Sequence, residues 1–380
     1  LGVDPVTDDQ QAAGLYISIA PQQSHRGRPL RPAGGHRQSA GPFVSIGEPQ
    51  ARALEHELGE LLTLITETPA PTFQEAQRGA LVSSLLAASG LAPHTDEVGN
   101  VIAEVPGGAG PRVLLAAHLD TVFPMETDVT VRKEGNSWSA PGIGDNSASL
   151  AVLLTLLKHR GEFEGRLPRI TFVATVGEEG MGDLRGVRHL FAADERACDY
   201  FIAVDGHLGA VVDAAVGSKR FEFRFSAPGG HSWGDFPSPS AVHGAGAAVT
   251  SLLDLNPPRT PRSTFNVGQV WGGTGVNAIA QSAGFNLDLR SEDPETLESL
   301  EREALARIRR SASRMGCELE AVKLGDRPAA RPLNRTLTRL ALATLEEKGV
   351  AAGARASSTD ANIPLSLGVP SISFGVYRGW

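Results

Sequence analysis

The chain has 380 residues, 41% of them hydrophobic and 6% aromatic, which is enough for two domains with separate cores. Its 43 acidic and 35 basic residues give a formal net charge of −8, which argues against a nucleic-acid-binding protein or a basic membrane-facing surface. The two cysteines, Cys198 and Cys317, lie far apart, so neither a disulfide framework nor a cysteine metal site is expected. Without a membrane-length apolar run or a secretory signal, the sequence predicts a soluble cytoplasmic protein.

The N-terminal stretch differs in composition from the rest of the chain. Its letters "SHRGRPLRPAGGHRQSAGP" are rich in Arg, Gly, Pro and Ser and lack an apolar period, so we expect residues 1–45 to be a disordered leader. From Glu48 onward, leucines recur at helical spacing and predict a first helix. The letters "TFQE" then offer a capping box from Thr72 to Glu75, which predicts a second helix that runs to about Ala88.

Short apolar runs alternate with helical patterns over the next part of the chain. The runs "NVIAEV", "RVLLAA", "RITFVATV" and "YFIAVD" are typical of strands, and "SLAVLLTLLKHR" and "LRGVRHLFAA" are typical of helices. Nearly continuous apolar strands that alternate with helices predict a parallel sheet covered on both faces, and therefore an α/β fold.

Polar side chains gather where these strands end. His118 ends one strand, Glu178 and Glu179 follow another, Asp205 ends a third, and Asp145 lies in the glycine-rich loop "PGIGDNSASL". Functional groups of open α/β sheets collect beyond the carboxyl ends of the strands, and carboxylates packed this closely repel one another unless a cation lies among them. Such ligands suit zinc, with manganese and cobalt as competitors, and the excess of carboxylates favours two bridged metals. The alternative for His118 alone is a hydrogen-bonded structural residue.

The central region has the pattern of a second domain. Its predicted elements, from about Gly217, are "KRFEFRFSA", "PSAVHGAGAAVTSLLDL", "STFNVGQVWGG", "NAIAQSAGFNLDLR", "PETLESLEREALARIRRSA" and "CELEAVKLG". These read in order as strand, helix, strand, strand, helix and strand. The order β-α-β-β-α-β predicts an antiparallel, ferredoxin-like sheet with both helices on one face.

Six segments resemble the successive motifs of the M20 family of zinc peptidases and deacylases, which includes carboxypeptidase G2-like, tripeptidase-like and acetylornithine deacetylase-like enzymes. They are "AAHLDTVFP", "GIGDNSASLAVLL", "VATVGEEGMGDLRG", "FIAVDG", "APGGHSWGDFPSPSAVH" and "SSTDANIPLSLGVP". The resemblance spans from about residue 47 to the C-terminus. It implies a mostly parallel-sheet zinc-peptidase catalytic domain in residues 46–214 and 327–380, and an inserted α+β lid and dimerisation domain in residues 215–326.

The resemblance also implies roles for the residues at the strand ends. His118 and Asp205 would bind one zinc, and Asp145 would bridge two. Glu179 would bind the second zinc, and Glu178 would act as the general base on the water between the metals.

Two further features follow from the resemblance. Asp120 would hold the imidazole of His118 through its other ring nitrogen, which explains the His-x-Asp spacing because residues two apart on a strand point the same way. The alternative is that Asp120 only caps a loop. A cis peptide bond is expected between Asp145 and Asn146.

Five other residues are candidates for contact with the substrate. His231 in "GGHSW" resembles a lid donor to the scissile carbonyl, reaching the active site of a partner subunit. Asn277 and Arg290 resemble lid residues, and Arg290 could hold a carboxylate with two parallel hydrogen bonds. Asp360 and Asn362 in "SSTDANIP" complete the set. The alternatives are a plain loop histidine and a solvated arginine at a strand end.

The C-terminal region departs from the family pattern. Family members follow the "SLGVPSISFG" strand with a glycine-rich loop and a histidine that completes the second zinc site, whereas this chain has no histidine after His243. We therefore expect an incomplete second site, through truncation, a frameshift or a degenerate copy.

These patterns predict metal-dependent hydrolysis of an amide bond in small peptides, with two zinc ions per subunit as the family arrangement. The alternatives are an N-acyl amino acid deacylase and a catalytically impaired homologue. The letters "HSWGDFPSPSAVH" and "STDANIPLSLG" favour the peptidase branch. A homodimer formed through the lid is expected, with no nucleic-acid or membrane partner.

Overall fold

A computed structural model describes residues 15–18, 48–163, 167–193, 198–333 and 335–379. The strands, numbered in chain order, are β1 Leu15–Ser18, β2 His94–Thr95, β3 Val101–Val105, β4 Arg112–His118, β5 Arg132–Glu134, β6 Ser137–Ala140, β7 Arg169–Thr175, β8 Tyr200–Val204, β9 Ala210–Ala215, β10 Gly217–Ser226, β11 Gly230–His231, β12 Ser263–Gly272, β13 Ala278–Ile279, β14 Ser282–Ser291, β15 Glu318–Arg327, β16 Gly353–Ser357 and β17 Ser371–Phe374.

The α-helices are α1 Glu48–Thr66, α2 Ala76–Ala88, α3 Ser149–Lys158, α4 Arg185–Ala193, α5 Ala241–Leu252, α6 Pro294–Arg314, α7 Arg335–Glu347 and α8 Asn362–Ser366. Over the ranges that the structure describes, no helix combines the length and the apolarity needed to cross a membrane.

Strands and helices alternate through the chain, and the largest sheet has eight strands. The prediction of an α/β fold with a large, mainly parallel sheet is confirmed. Antiparallel pairing occurs between β2 and β3, between β3 and β7, and between β9 and β17. The run "NVIAEV" is therefore a strand, as predicted, but it runs against its neighbour.

The chain divides into two compact units. The first comprises Leu1–Val176, Val204–Leu208 and Gly375–Trp380, and the second comprises Gly177–Ala203 and Gly209–Phe374. This division differs from the predicted domain boundaries, because the second unit holds more than the predicted insert. The boundaries at residues 46, 215 and 327 stay a prediction.

In the first unit, β4 lies parallel to β7 with His118 opposite Thr175. Both strands are buried over their C-terminal four residues, because continuous apolar side chains face covering elements on both sides of the sheet. Helices α1 and α3 pack against each other, and α3 buries its leucines. Strand β1 lies in the stretch predicted as a disordered leader and pairs with β6. The rest of that stretch lies outside the described residues.

The capping box predicted at Thr72 is wrong. Helix α2 begins at Ala76 after Glu75, whose side chain forms no capping hydrogen bond with the helix. The Glu75 carboxylate instead accepts the backbone N–H of Phe73 at 3.0 Å, and the Thr72 hydroxyl bonds elsewhere. A Thr-x-x-Glu spacing permits a capping box, but a nearby carboxylate is a stronger acceptor for the threonine hydroxyl.

The insert in the second unit forms a four-stranded antiparallel sheet in the order β12-β14-β10-β15. The predicted order of strands and helices is confirmed with two additions: β11 lies between β10 and α5, and "NAIAQSAGFNLDLR" forms two strands, β13 and β14. Alternate residues of β10 and β14 face α5 and α6, and their core includes Phe221, Phe223, Phe225, Phe285 and Leu287.

We predict that Phe223→Ala lowers the free energy of unfolding of the second unit by about 3–5 kcal/mol, because the phenyl ring is fully buried among Phe221 and Phe285. Urea unfolding of the full chain measures the loss. Leu253→Ala, at an exposed position just after α5, is the control and should change it by less than about 0.5 kcal/mol. Equal effects of the two changes would contradict this account of the core.

Candidate metal centre

Three predicted metal ligands lie together in the first unit. His118 Nε2 is 2.9 Å from Asp145 Oδ1 and 3.8 Å from Asp205 Oδ1. His118 Nε2 and Asp145 Oδ1 are both buried, and within the described part of the chain neither completes a hydrogen bond. One imidazole nitrogen that converges with two carboxylates fits a divalent cation such as zinc.

The imidazole of His118 is held through its other nitrogen. Nδ1 lies 2.9 Å from the backbone carbonyl oxygen of Asp120 and 3.6 Å from its Oδ1. Because a carbonyl oxygen only accepts, Nδ1 carries the proton, and Nε2 of the neutral ring keeps its lone pair for a metal. The shortest contact of Nδ1 is therefore with the main chain of Asp120, and the orienting role of the Asp120 side chain stays a prediction.

Two polar residues that sequence reasoning missed hold this strand end. The Thr72 hydroxyl donates to Asp120 Oδ2 at 2.9 Å. The buried Arg78 guanidinium donates to the carbonyl oxygens of Leu119, at 2.9 Å, and Thr68, at 2.8 Å. Burial lowers the pKa of Arg78 to about 10, although the Asp120 carboxylate opposes the shift. An arginine among the apolar positions of α2 was the available sequence signal.

The loop that carries Asp145 is fixed to the strand that precedes Asp205. Asn146 donates from Nδ2 to the carbonyl oxygen of Val204 at 3.1 Å. The peptide bond between Asp145 and Asn146 is cis, which confirms the prediction. Gly142 begins this loop with φ of 72°, and a Cβ there would lie 2.8 Å from the Thr121 methyl group, so the loop requires glycine.

The charges in this cluster depend on one another. Burial by itself would lower the pKa of His118, but the carboxylates of Asp120, Asp145 and Asp205 outweigh burial and raise the pKa well above 6.5. Burial, with the neighbouring Asp145 carboxylate, raises the pKa of Asp205. A cluster that favours a positive charge on the ring is equally suited to a divalent cation beside it.

Glu178 in the second unit is buried and held by an arginine that sequence reasoning also missed. Arg327 Nη1 donates to Glu178 Oε1 at 3.4 Å and to Ser358 Oγ at 3.2 Å, and Nη2 donates to the Glu178 carbonyl oxygen. Glu179 follows in extended conformation, before the 3₁₀ turn Gly180–Gly182. Its predicted role as a metal ligand stays a prediction.

His231, the predicted lid histidine, ends β11 and is exposed. His231 Nδ1 accepts the backbone N–H groups of Trp233, at 3.2 Å, and Gly234, at 3.4 Å. With Nδ1 accepting, the proton of the neutral ring lies on Nε2. The backbone N–H of Ser232 donates to the carbonyl oxygen of Asn277 at 3.0 Å, so the two predicted lid residues lie in adjoining turns.

The remaining substrate-binding candidates have partners within the protein. Arg290 Nε donates to Asp288 Oδ2 at 2.7 Å. Asn362 is buried, donates to the carbonyl oxygens of Val216 and Pro328, and accepts the Thr359 N–H. Both ends of the Asn362 amide therefore bond to the backbone and connect neighbouring loops. Asp360, two residues before Asn362 in the sequence, is also buried.

Comparisons with known proteins agree with this geometry. The profile of Peptidase family M20/M25/M40 matches residues 114–379. A Pyrococcus abyssi protein provisionally named [LysW]-lysine/[LysW]-ornithine hydrolase is 31% identical over 34% of this chain and 35% of its own, so this chain spans about a third of that relative. A Mycobacterium tuberculosis protein provisionally named succinyl-diaminopimelate desuccinylase is 23% identical over 83% of this chain and 88% of its own. The structure of a Staphylococcus aureus tripeptidase is similar with a TM-score of 0.71 and 22% identity, covering 85% of this chain and 90% of that one.

We predict that Thr72→Val weakens zinc binding by about 10–100-fold, because the Asp120 carboxylate loses the hydroxyl that holds it beside His118. Competition with a chromophoric zinc chelator measures the affinity. Thr63→Val is the matched control, since that hydroxyl only donates to the Gly59 carbonyl within α1. Unchanged affinity in Thr72→Val would show that Thr72 does not support the ligand.

Proposed function

Since the chain belongs to Peptidase family M20/M25/M40, we propose that it hydrolyses an amide bond in a small peptide by means of a metal-activated water. The observation that carries the proposal is the buried His118 ring. Its Nδ1 is engaged by a carbonyl, and its Nε2 faces the carboxylates of Asp145 and Asp205. This arrangement serves a metal better than it serves the stability of the fold, because it leaves buried polar atoms without hydrogen bonds.

Zinc is the metal we propose, with cobalt or manganese as alternatives. His118, Asp145 and Asp205 would hold one ion, and the family resemblance assigns Asp145 and Glu179 as ligands of a second ion. When bound, the metals supply Lewis acidity and a lowered pKa of water. All four ligand assignments are part of the proposal.

The side chains of the protein then supply the proton transfers and the orientation. Glu178 accepts a proton from the attacking water and delivers it to the leaving amine. Arg327 keeps the Glu178 carboxylate in one position through its contacts with the side chain and the carbonyl. His231 Nε2–H donates to the carbonyl oxygen of the substrate, where negative charge develops. Asn277 and Arg290 would contact the rest of the substrate, and for this Arg290 must exchange Asp288 for a substrate carboxylate.

The same chemistry would serve an N-acyl amino acid, and this is the second candidate. The similarity to a tripeptidase supports the peptidase, and the similarity to a protein provisionally named a desuccinylase supports the deacylase. The motifs around His231 and Asp360 favour the peptidase. Turnover of di- and tripeptides compared with N-acetyl and N-succinyl amino acids separates the two.

A homodimer in the cytoplasm is the assembly we propose. Strand β12 pairs only with β14 among the described residues, so one edge of the insert sheet is open for a second copy. Val270 and Trp271 near the end of this edge are exposed, which suits burial against a partner. The trans role of His231 depends on this assembly.

We predict that Glu178→Gln reduces peptide turnover by at least about a thousandfold while metal content stays unchanged, because the change removes a base and no proposed ligand. Turnover and metal analysis on the same preparation test this. Gln keeps the size of the side chain and an acceptor for Arg327, and Glu104→Gln on β3, exposed, is the control for loss of a carboxylate. Loss of metal in Glu178→Gln would contradict its assignment as the base.

We also predict that mixing inactive Glu178→Gln subunits with inactive His231→Ala subunits restores part of the activity. A mixed dimer would contain one active site with both an intact base and a His231 from the partner. The measurement is turnover after subunit exchange, with mixed dimers isolated by two affinity tags. Mixed dimers that remain inactive would show that His231 does not act in trans.

A further inference from the structure

A cavity in the second unit is lined by several arginines that the proposed hydrolysis does not use. Its volume is about 690 Å³, and it is lined by β9, β16, α7 and the loops before β12 and α6. No lining residue belongs to the candidate metal centre or to the proposed substrate contacts. The volume lies within the range of small-molecule binding sites, roughly 300–1,000 Å³.

Four arginines line this cavity, and their partners differ. Arg331 forms ion pairs with Asp293 and Glu295, so its charge is compensated. Among the described residues, the guanidinium groups of Arg335 and Arg355 form no ion pair or hydrogen bond. Arg339 donates only to the carbonyl oxygen of Arg335, at 3.3 Å. Within the described part of the chain, three guanidinium groups that border one cavity therefore form no ion pair.

The acidic residues of the lining accept hydrogen bonds from other groups. Asp293 caps α6 by accepting the Thr296 N–H at 3.0 Å, in addition to its contact with Arg331. Asp213 accepts the Thr338 hydroxyl at 3.0 Å, and Glu292 accepts the Arg262 N–H at 3.2 Å. None of them forms an ion pair with Arg335, Arg339 or Arg355. With Arg331 paired to Asp293, the lining keeps three arginines against the two carboxylates of Asp213 and Glu292, so its net formal charge is +1.

Arg335, Arg339 and Arg355 are exposed, and the position of the first two on α7 adds a modest unfavourable charge interaction. Arg335 and Arg339 are four residues apart, so they share one helix face and repel each other. Arg335 also opens the helix, where the backbone dipole favours negative charge. Arg355 adds a third guanidinium from β16, which is an edge strand of its sheet. An anion in the cavity would relieve each of these conflicts.

The remaining lining residues indicate that the non-ionic part of the ligand is apolar. Pro261, Pro332 and Leu342 add apolar surface beside the guanidinium groups. Planar guanidinium groups bind phosphate and carboxylate oxygens in pairs, and three of them exceed what a single carboxylate can use. We propose that this cavity binds a small organic dianion with an apolar body, either a phosphomonoester or a dicarboxylate.

The test is calorimetric titration of the metal-loaded protein with phenyl phosphate, phthalate and benzoate. One of the two dianions should bind at least about tenfold more tightly than benzoate, and the tighter dianion identifies the head group. The triple variant Arg335→Gln, Arg339→Gln, Arg355→Gln should bind that dianion at least about tenfold more weakly. The matched control is Arg310→Gln, Arg314→Gln, an exposed pair four residues apart on α6 and outside this cavity, which should bind like the wild type.

The metal centre can also bind anions, so the test compares the affinity of the wild type for the dianion with that of the triple variant. Equal affinity and stoichiometry in the wild type and the triple variant would overturn the proposal, as would benzoate binding as tightly as the dianions.

A second measurement uses the unaltered protein. The bound dianion should slow phenylglyoxal labelling of Arg335, Arg339 and Arg355, read by peptide mass, but not labelling of Arg310 and Arg314. Equal slowing at all five arginines would show general ionic screening and would overturn the proposal.

Discussion

The contact between the His118 ring and the backbone carbonyl of Asp120 is the constraint on which the rest of the metal centre depends. It fixes the proton on Nδ1 and leaves Nε2 for a ligand, so the chemistry of the ring is decided by the path of the main chain just after β4. Arg78 holds the preceding carbonyl, of Leu119, and Thr72 holds the Asp120 side chain. The Asp120 carbonyl, Arg78 and Thr72 therefore act together to hold the ring with the Nε2 lone pair available for a metal. A precisely positioned ligand needs such support.

A similar logic applies to Glu178, although the support comes from a distant part of the chain. Arg327 contacts both the carboxylate and the carbonyl of the same residue, which restricts rotation of the side chain about its own backbone. Both groups are buried, so each charge offsets part of the other's cost of removal from water. The ion pair therefore holds the proposed general base in position.

Much of the fold, and the placement of His118, Asp145 and Asp205 close together, could be predicted because both depend on local patterns. Apolar runs that end in His118 and Asp205 predict strand ends, and alternation in "KRFEFRFSA" predicts an inserted antiparallel strand. The support of the site was not predictable, since Arg327 is 149 residues from Glu178 and no spacing links them. Thr72 was misassigned because one hydroxyl can cap a helix or bind a distant carboxylate, and only the tertiary fold decides between them.

The single side chain of Asn362 joins the two ends of the inserted sheet. Its amide donates to the carbonyl of Val216, just before β10, and to that of Pro328, just after β15. Next to it, Ala215 and Ala330 exchange backbone hydrogen bonds of 2.8 and 3.1 Å. The two ends of the segment that forms β10 to β15 therefore lie side by side. In evolution or in engineering, this segment could be exchanged for another domain whose ends lie as close together, without changing the order of the strands that precede and follow it.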